Sequence, residues 1–263
     1  LPIDAPSKQA EPLLAFGKRA LVHLAVSTDE VRMSTRLSGT STRFLPFNRG
    51  TPDDMGGAGA GNAPDAKRGY ATAYLWHEVL QRDAFLGIIG KFFAAQVSQS
   101  KDAKGRPVYT PALLFPRYHQ WAVVNQLLQA TRNEGVGQSY LIQHSAGSGK
   151  SNTIGWLAHR LAALHDAHEQ KVYSSVIVIT DRRVLDQQLQ DTIYQFDHLH
   201  GVVERIDQGS SQLAEALEKG KPIIITTLQK FPWVLSNASG LGDKPFAVII
   251  DEAHHSQSSG PAR

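Results

Sequence analysis

The chain has 263 residues, a net charge of +3, and a composition that is 41% hydrophobic and 19% charged. This length allows one large or two modest domains at about 150 residues per domain, and this composition excludes a chain that is disordered throughout. The mild basic excess, which is spread along the chain, permits a nucleic-acid partner without arguing for one. The absence of cysteine excludes disulfides, thiolate metal sites and cysteine nucleophiles. No apolar run approaches the roughly 20 residues of a membrane-spanning helix, so we expect a soluble protein.

The first part of the chain predicts a mixture of short strands, loops and helix. Two runs of strand-forming residues, 20–26 and 31–35, flank a predicted turn at 28–30. Residues 49–69 hold six glycines and two prolines, which predicts a loop. Helical periodicity follows over 71–96, with a possible break at Asp83 or Gly87. Residues 98–111 are polar with two prolines, so we interpret them as a linker.

From residue 118 onward, helical and strand patterns alternate. The predicted helices cover 118–132, 151–168, 184–193 and 213–217. The predicted strands cover 140–142, 176–179, 202–203, 223–225 and 247–250. Alternation of short β-branched strands with helices predicts right-handed crossovers and an α/β fold, with a parallel sheet covered by helices on both faces.

The strongest local motif is Ala146-Gly147-Ser148-Gly149-Lys150-Ser151, which follows a predicted strand and opens a predicted helix. Its glycines allow backbone N–H groups to point at phosphate oxygens, and the helix N-terminus adds partial positive charge. Lys150 would reach the β- and γ-phosphates, and the Ser151 hydroxyl would be a Mg²⁺ ligand. The general pattern GxxxxGK[ST] has its first glycine where this chain has His144. The alternative is a glycine-rich turn that happens to precede a lysine.

The second motif is Asp251-Glu252-Ala253-His254, directly after the last predicted strand. A carboxylate at the C-terminal end of a parallel strand lies where such sheets bind ligands. Asp251 would hold Mg²⁺, and Glu252 would orient or deprotonate the attacking water. The alternative is a solvated strand end, although the βα units between the two motifs allow both loops to meet at one sheet edge.

Together these motifs resemble motifs I and II of superfamily-two helicases, the second in its DEAH form. More closely, the chain resembles the restriction (R) subunit of type I restriction–modification enzymes, an ATP-driven double-stranded DNA translocase fused to a nuclease. The resemblance covers nearly the whole chain. It is carried by Leu45-Pro46-Phe47-Asn48, Thr72-Ala73-Tyr74-Leu75-Trp76, Phe115-Pro116-Arg117-Tyr118-His119-Gln120, residues 143–151, Thr180-Asp181-Arg182 with Leu185, Asp186 and Gln188, and residues 251–257.

This resemblance implies a domain organisation and two cofactors. Residues 1–65 would be the C-terminal remnant of a nuclease domain, 66–110 a helical connector and linker, and 111–263 an incomplete first RecA-like lobe. ATP and Mg²⁺ would bind at the motif-I loop. Lys150, Asp251 and Glu252 would then be the catalytic residues, with Ser151 and Asp251 as the Mg²⁺ ligands.

The resemblance also implies roles for single residues. Gln120 would read the adenine base through its amide; without the neighbouring motif it would be interpreted as a surface glutamine. His254 would couple the nucleotide site to a second lobe. Contacts to the DNA backbone would come from motifs Ia and Ib, for which ordinary loop capping is the alternative. The residues concerned are Asp181, Arg182, Thr226, Thr227, Gln229 and Lys230.

The implied partners are double-stranded DNA, methyltransferase and specificity subunits, and a second RecA-like lobe, in the bacterial cytoplasm and with no membrane. We expect the chain to be a piece of a longer protein, which by itself binds ATP weakly and neither translocates nor cuts DNA. Two alternatives stay open: another superfamily-two helicase or remodeller without a nuclease, and a non-catalytic or truncated nucleotide-binding module. An upstream Asp followed by a Glu-x-Lys strand would favour the nuclease.

Overall fold

The computed structural model describes residues 11–51, 60–102, 104–145, 147–180, 183–196, 201–206, 209–227 and 244–252. The chain divides into two compact units, with the boundary between Ala122 and Val123. None of the helices in these ranges is long and apolar enough to span a bilayer.

The first unit opens with a small antiparallel sheet of three strands in the order β1-β2-β3. The strands are β1 (His23–Val26), β2 (Val31–Ser34) and β3 (Leu45–Pro46). Ser27 forms the turn between β1 and β2, because its Oγ accepts hydrogen bonds from the backbone N–H groups of Asp29 and Glu30 at 3.2 and 3.0 Å. The two predicted strands and their turn are thus confirmed.

Helical structure in the first unit comes in two pieces. A π-helical segment (Leu75–Val79) is followed by α1 (Arg82–Lys91). The break falls at Gln81, whose backbone is extended with ψ 142° and whose Nε2 donates to the Trp76 carbonyl at 2.6 Å. The predicted break at Asp83 or Gly87 is therefore wrong, because the backbone leaves the helical conformation at Gln81, and both Asp83 and Gly87 lie inside α1.

The predicted polar linker at 98–111 is also wrong. Strands β4 (Ala94–Lys101) and β5 (Pro107–Leu114) form an antiparallel hairpin there. Asp102 closes the turn by accepting hydrogen bonds from the backbone N–H groups of Lys104 and Arg106, both at 2.8 Å. A two-stranded ribbon has two outer edges, so it tolerates the prolines that led us to predict a linker.

An aromatic cluster forms the core of the first unit. Tyr118 packs against Phe47, Tyr74 and Trp121, with ring centroids 6.0, 5.1 and 5.6 Å away. The Tyr74 hydroxyl donates to the Phe47 carbonyl at 2.6 Å, and the Tyr118 hydroxyl donates to Glu78 Oε2 at 3.0 Å. Burial, with Glu78 beside it, raises the pKa of Tyr118 to about 12. Tyr118 also opens the long helix α2 (Tyr118–Glu134), which crosses the boundary between the units.

The second unit is built on a parallel four-stranded sheet in the order β7-β8-β6-β9. Its strands are β6 (Ser175–Thr180), β7 (Val203–Arg205), β8 (Ile223–Thr227) and β9 (Phe246–Ile250). Its helices are α3 (Lys150–Ala162), α4 (Arg183–Gln195) and α5 (Ser210–Glu218). Because β6 lies between β8 and β9 and is covered on both faces, all six of its residues are buried. The predicted α/β fold is confirmed.

Helices cover both faces of this sheet. Ile177, Ile179 and Ile224 pack against Leu213 and Leu217 of α5. Alternation along the strands places their neighbours on the opposite face, where α3 and α4 contact the sheet. On that side Trp156 of α3 stacks on Phe196 just beyond α4, with centroids 5.3 Å apart.

Two predictions on the second unit are wrong. Residues 140–142 form no strand, and Leu141 is 85% exposed. An apolar run of three residues becomes a strand only where another strand pairs with it, and in the described residues β9 pairs with β6 alone. The helix predicted to end at 168 ends at Ala162, because a short turn follows in which Asp166 Oδ1 accepts from the backbone N–H groups of His168 and Gln170.

Candidate nucleotide-binding site

A glycine-rich turn leads directly into α3. Gly147 and Gly149 have φ angles of 73° and 86°, in the left-handed region that glycine adopts without strain. Between them Ser148 donates its backbone N–H to the Ser145 carbonyl at 3.2 Å and is 8% exposed. Successive N–H groups in such a turn, together with the N-terminus of a helix, form a concave site for an anion. Ala146, which belongs to the same motif, lies outside the described residues.

The structure brings the two sequence motifs together. Lys150 is the first residue of α3, and its Nζ lies 3.1 Å from Glu252 Oε1. The side chains are 38% and 27% exposed, so the ion pair is accessible from solvent and not locked in the core. The sequence-based expectation that Lys150 and the carboxylates after β9 converge is thus met for Lys150 and Glu252.

The backbone after β9 is shaped to present both carboxylates. The Asp251 N–H donates to the Ile179 carbonyl at 3.0 Å, which extends the pairing of β9 with β6 by one residue. Glu252 then has a φ of 52°, in the left-handed region that non-glycine residues seldom adopt. Its N–H is held at 3.0 Å by Asp251 Oδ1. A strained conformation held in this way is typical of functional sites.

The environment of Asp251 shifts the pKa of its carboxyl upward. Burial raises the pKa of this carboxyl above its ordinary value, and the adjacent Glu252 carboxylate raises it further. The hydrogen bond from the Glu252 N–H and the charge of Lys150 act in the opposite direction but are smaller. A cation bound near Asp251 would reverse this balance, because it would stabilise the ionised carboxylate.

The oxygen donors at the site fit a hard divalent cation. Ser151 and Asp251 are both half-buried, and they offer a hydroxyl and a carboxylate. Across the described ranges, no group of three or more His, Asp or Glu side chains is arranged to hold a metal. Mg²⁺ is often bound by one or two protein ligands with substrate phosphates and water supplying the rest, so this small donor set fits Mg²⁺ better than a metal that needs a full protein cage.

Gln120 has a structural role that sequence reasoning missed. Its Oε1 accepts a hydrogen bond from the Arg117 backbone N–H at 2.8 Å, and the side chain is 3% exposed. A glutamine three residues into a helix that reaches back to the residue before the helix is half of a capping box. The spacing from Arg117 to Gln120 was the available signal. The role of Gln120 in reading adenine stays a prediction.

The predicted DNA contacts are only partly described. Thr226 is 2% exposed and lies in β8 opposite Ile179, so the prediction that it touches DNA is not supported. Thr227, at the end of β8, is half-buried, and it is the predicted DNA-contacting residue that stays a candidate among the described ones. Four further predicted positions, Asp181, Arg182, Gln229 and Lys230, lie outside the described residues, as does His254.

Sequence reasoning also missed a concentration of positive charge in the first unit. Residues 31–51 contain four arginines and no aspartate or glutamate. The overall charge balance indicated that the excess of positive charge is spread along the chain. A count of charged residues over 31–51 shows instead that positive charge is concentrated there.

The fold and the site define a class. A glycine-rich turn opening a helix, a lysine at its first position, and a carboxylate pair at the C-terminal edge of a parallel sheet characterise the RecA-like P-loop fold. A family profile described as SWI2/SNF2 ATPase matches residues 119–263. The chain belongs to this family.

Curated relatives match about half of the chain. The chain is 30% identical over 150 residues to the type I restriction enzyme SsaAORF53P endonuclease subunit of Staphylococcus saprophyticus, and 28% identical over 144 residues to the SauCOLORF180P endonuclease subunit of Staphylococcus aureus. It is 29% identical over 154 residues to the HindI endonuclease subunit of Haemophilus influenzae. These matches cover 55%, 53% and 53% of this chain but 15%, 14% and 14% of the relatives, so the chain spans a small part of their length.

Proposed function

We propose that the chain is part of the ATP-dependent double-stranded DNA translocase and endonuclease subunit of a type I restriction system. In this role it binds and hydrolyses Mg-ATP to pump DNA before cleavage. The observation that carries the proposal is the 3.1 Å contact between Lys150 and Glu252 beside the glycine-rich turn. Membership of an ATPase family and the names of the relatives support it.

Different residues of the chain bind the phosphates of the nucleotide and activate the attacking water. The N–H groups of the glycine-rich turn and the first turn of α3 bind phosphate oxygens, and the Lys150 amine neutralises the charge on the outer phosphates. Glu252 Oε1 already attracts one proton-bearing group, the Lys150 ammonium, at 3.1 Å. With the amine on the phosphates, the same oxygen would orient water and accept its proton.

Asp251 and Ser151 would hold the divalent cation. That cation, when bound, supplies charge neutralisation to the phosphates. The partial burial that raises the pKa of Asp251 also weakens the screening by water, so a bound cation would be attracted more strongly than at an open surface.

Other residues would connect the nucleotide to DNA and to partner proteins. Gln120 would favour ATP by pairing with adenine, and His254 would couple the site to a second RecA-like lobe. Thr227, Asp181, Arg182, Gln229 and Lys230 would contact the DNA backbone without reading its sequence. Methyltransferase and specificity subunits would complete the assembly in the bacterial cytoplasm.

The test is DNA-dependent ATP hydrolysis by the complete protein carrying Lys150→Ala. We expect turnover to be abolished, because the phosphates lose their fixed cation. Lys219→Ala is the matched control. Lys219 also pairs with a glutamate, Glu215, but both side chains are exposed at the C-terminal end of α5, so this variant should hydrolyse ATP normally. Unchanged turnover in Lys150→Ala would remove Lys150 from the site.

A further inference from the structure

A groove in the first unit collects positive charge away from the nucleotide site. It encloses about 380 Å³, and its walls carry Arg36, Arg43 and Arg117. We call it the arginine groove. Met33, Leu45, Leu113 and Leu114 also line the groove, and we call these apolar residues its floor. Met33 and Leu45 are paired neighbours on β2 and β3, and Leu113 and Leu114 end β5, so the floor is built on regular structure.

The loop that carries two of the arginines is held by its own hydrogen bonds. The Ser34 hydroxyl donates to the Arg36 carbonyl at 2.8 Å. The Thr42 hydroxyl accepts from the Ser38 N–H at 2.8 Å and donates to the Gly39 carbonyl at 2.7 Å. Arg36 and Arg43 therefore project from the two ends of a closed loop between β2 and β3 and not from a free chain.

The guanidinium of Arg36 is itself positioned. It lies 4.7 Å from the centroid of the Phe16 ring, and its Nη1 donates to the Pro111 carbonyl at 3.3 Å. A cation–π contact of this kind restrains the group without neutralising it. The remaining N–H donors of Arg36 stay available to an anion, since a guanidinium has five.

The charges of the groove are not balanced by nearby acids. Of the four arginines in residues 31–51, Arg32 pairs with Glu30 and Arg49 pairs with Glu78, at 3.0 and 3.2 Å. Arg36 and Arg43, the other two, have no carboxylate partner within the described ranges, and neither has Arg117. No aspartate or glutamate is among the described residues that line the groove.

We propose that the arginine groove binds a phosphate of a nucleic-acid backbone. Forked guanidinium groups bind phosphate oxygens in a bidentate way, and an uncompensated group of three attracts a polyanion. The apolar floor suits the sugar next to the phosphate, which a free inorganic anion lacks. The choice of DNA as the polymer rests on the proposed function, whereas the affinity for phosphate follows from the groove itself.

The experiment measures binding of the complete protein to a DNA duplex without nucleotide, over a range of salt concentrations. Arg43→Ala is the main variant, because Arg43 lies outside strands and helices. We expect weaker binding and a salt dependence, log K against log salt, that is shallower by about 0.9, because the variant neutralises one phosphate fewer. Arg43→Lys should keep the wild-type slope of log K against log salt but bind DNA somewhat more weakly, since a single ammonium charge replaces the bidentate guanidinium group. Arg117→Ala should repeat the Arg43→Ala result.

Arg82→Ala is the control, because Arg82 is also an exposed arginine, lies on α1 and is not among the residues that line the groove. The proposal is overturned if Arg43→Ala and Arg82→Ala have the same affinity and slope, or if Arg43→Ala weakens binding with the slope unchanged. Loss of assembly with partner subunits while DNA binding stays normal would assign the groove to an acidic protein surface and would also overturn it. Because the assay contains no nucleotide, a failure of the Lys150→Ala test would not alter this result.

Discussion

The Nζ of Lys150 lies 3.1 Å from Oε1 of Glu252, although 102 positions separate the two residues in the chain. One partner opens a helix, and the other follows β9, which lies at one edge of the parallel sheet in the part of the chain that the structure describes. Because both side chains are partly exposed, the pair contributes at most about 1 kcal/mol to stability. Its importance is therefore positional, since it places an amine and a general-base candidate at one point.

Glu252→Gln should separate nucleotide binding from hydrolysis. The amide keeps the shape of the side chain but cannot accept a proton, so we expect hydrolysis to fall on the order of 10²- to 10⁴-fold. Binding of a non-hydrolysable nucleotide should be retained or tighter, because Lys150 loses a competing carboxylate. Glu215→Gln, which disrupts a pair with Lys219 at the C-terminal end of α5, should change neither quantity. Wild-type turnover in Glu252→Gln would exclude Glu252 as the base.

Asp251→Asn should stabilise the fold at neutral pH. The folded-state pKa of Asp251 is raised, so its contribution to stability is present at acid pH and is lost as pH rises through that pKa. The asparagine variant avoids this loss, and its advantage should vanish below the ordinary aspartate pKa. Denaturant unfolding at several pH values measures the effect.

Asp166→Asn is the control of opposite sign for that experiment. Hydrogen bonds from the Gln170 and His168 N–H groups hold the pKa of Asp166 below its ordinary value. Its replacement should therefore destabilise the fold at neutral pH and become harmless in acid. If the free energy of unfolding at neutral pH changes in the same direction in both variants, burial of Asp251 is not the cause of the change in Asp251→Asn.

Gln120 can be tested for its two roles with two substitutions. Gln120→Ala removes the acceptor for the Arg117 N–H and should cost about 1 kcal/mol of stability, as for the removal of other helix caps. Gln120→Glu keeps the acceptor, so its stability loss should be smaller. If Gln120 also reads adenine, both variants should lose the preference for ATP over GTP. If Gln120→Glu keeps the wild-type preference for ATP over GTP, Gln120 only caps α2 and does not read adenine.

Gly155→Ala in α3 should destabilise the second unit, although alanine is the better helix former. A Cβ at Gly155 would lie 2.7 Å from Cε2 of Phe196. That ring is 7% exposed and stacks on Trp156, so it has little room to move, and we expect a loss of about 1–3 kcal/mol. Gly90→Ala in α1, where nothing lies within 4 Å, should instead stabilise by roughly 0.5–1 kcal/mol. Denaturant unfolding, followed by tryptophan fluorescence, compares the stabilities of the two variants. An undiminished stability of Gly155→Ala would show that α3 and α4 move apart to accommodate the methyl group.

Local sequence patterns predicted most of the helices and strands of the second unit. The β-branched runs at 176–179 and 223–225 and the helical periods between them correspond to β6, β8 and their helices within a few residues. The glycine-rich turn before α3 was equally predictable, because its backbone conformation depends on residues next to one another. The same reasoning failed at Leu141, since a strand also needs a partner that the run itself does not specify.

Sequence alone determined which chemistry the site holds: a flexible glycine turn, a lysine at a helix start and a carboxylate pair after a strand, all set by neighbouring residues. Tertiary structure decided which groups meet. It put Glu252 against Lys150, turned Gln120 back to cap α2 and enclosed Thr226 in the sheet. It also paired Arg32 and Arg49 with glutamates, while Arg36 and Arg43 have no carboxylate partner among the described residues. The physical reason is range, because propensity and capping act over a few residues, whereas burial and charge pairing depend on segments that only folding brings together.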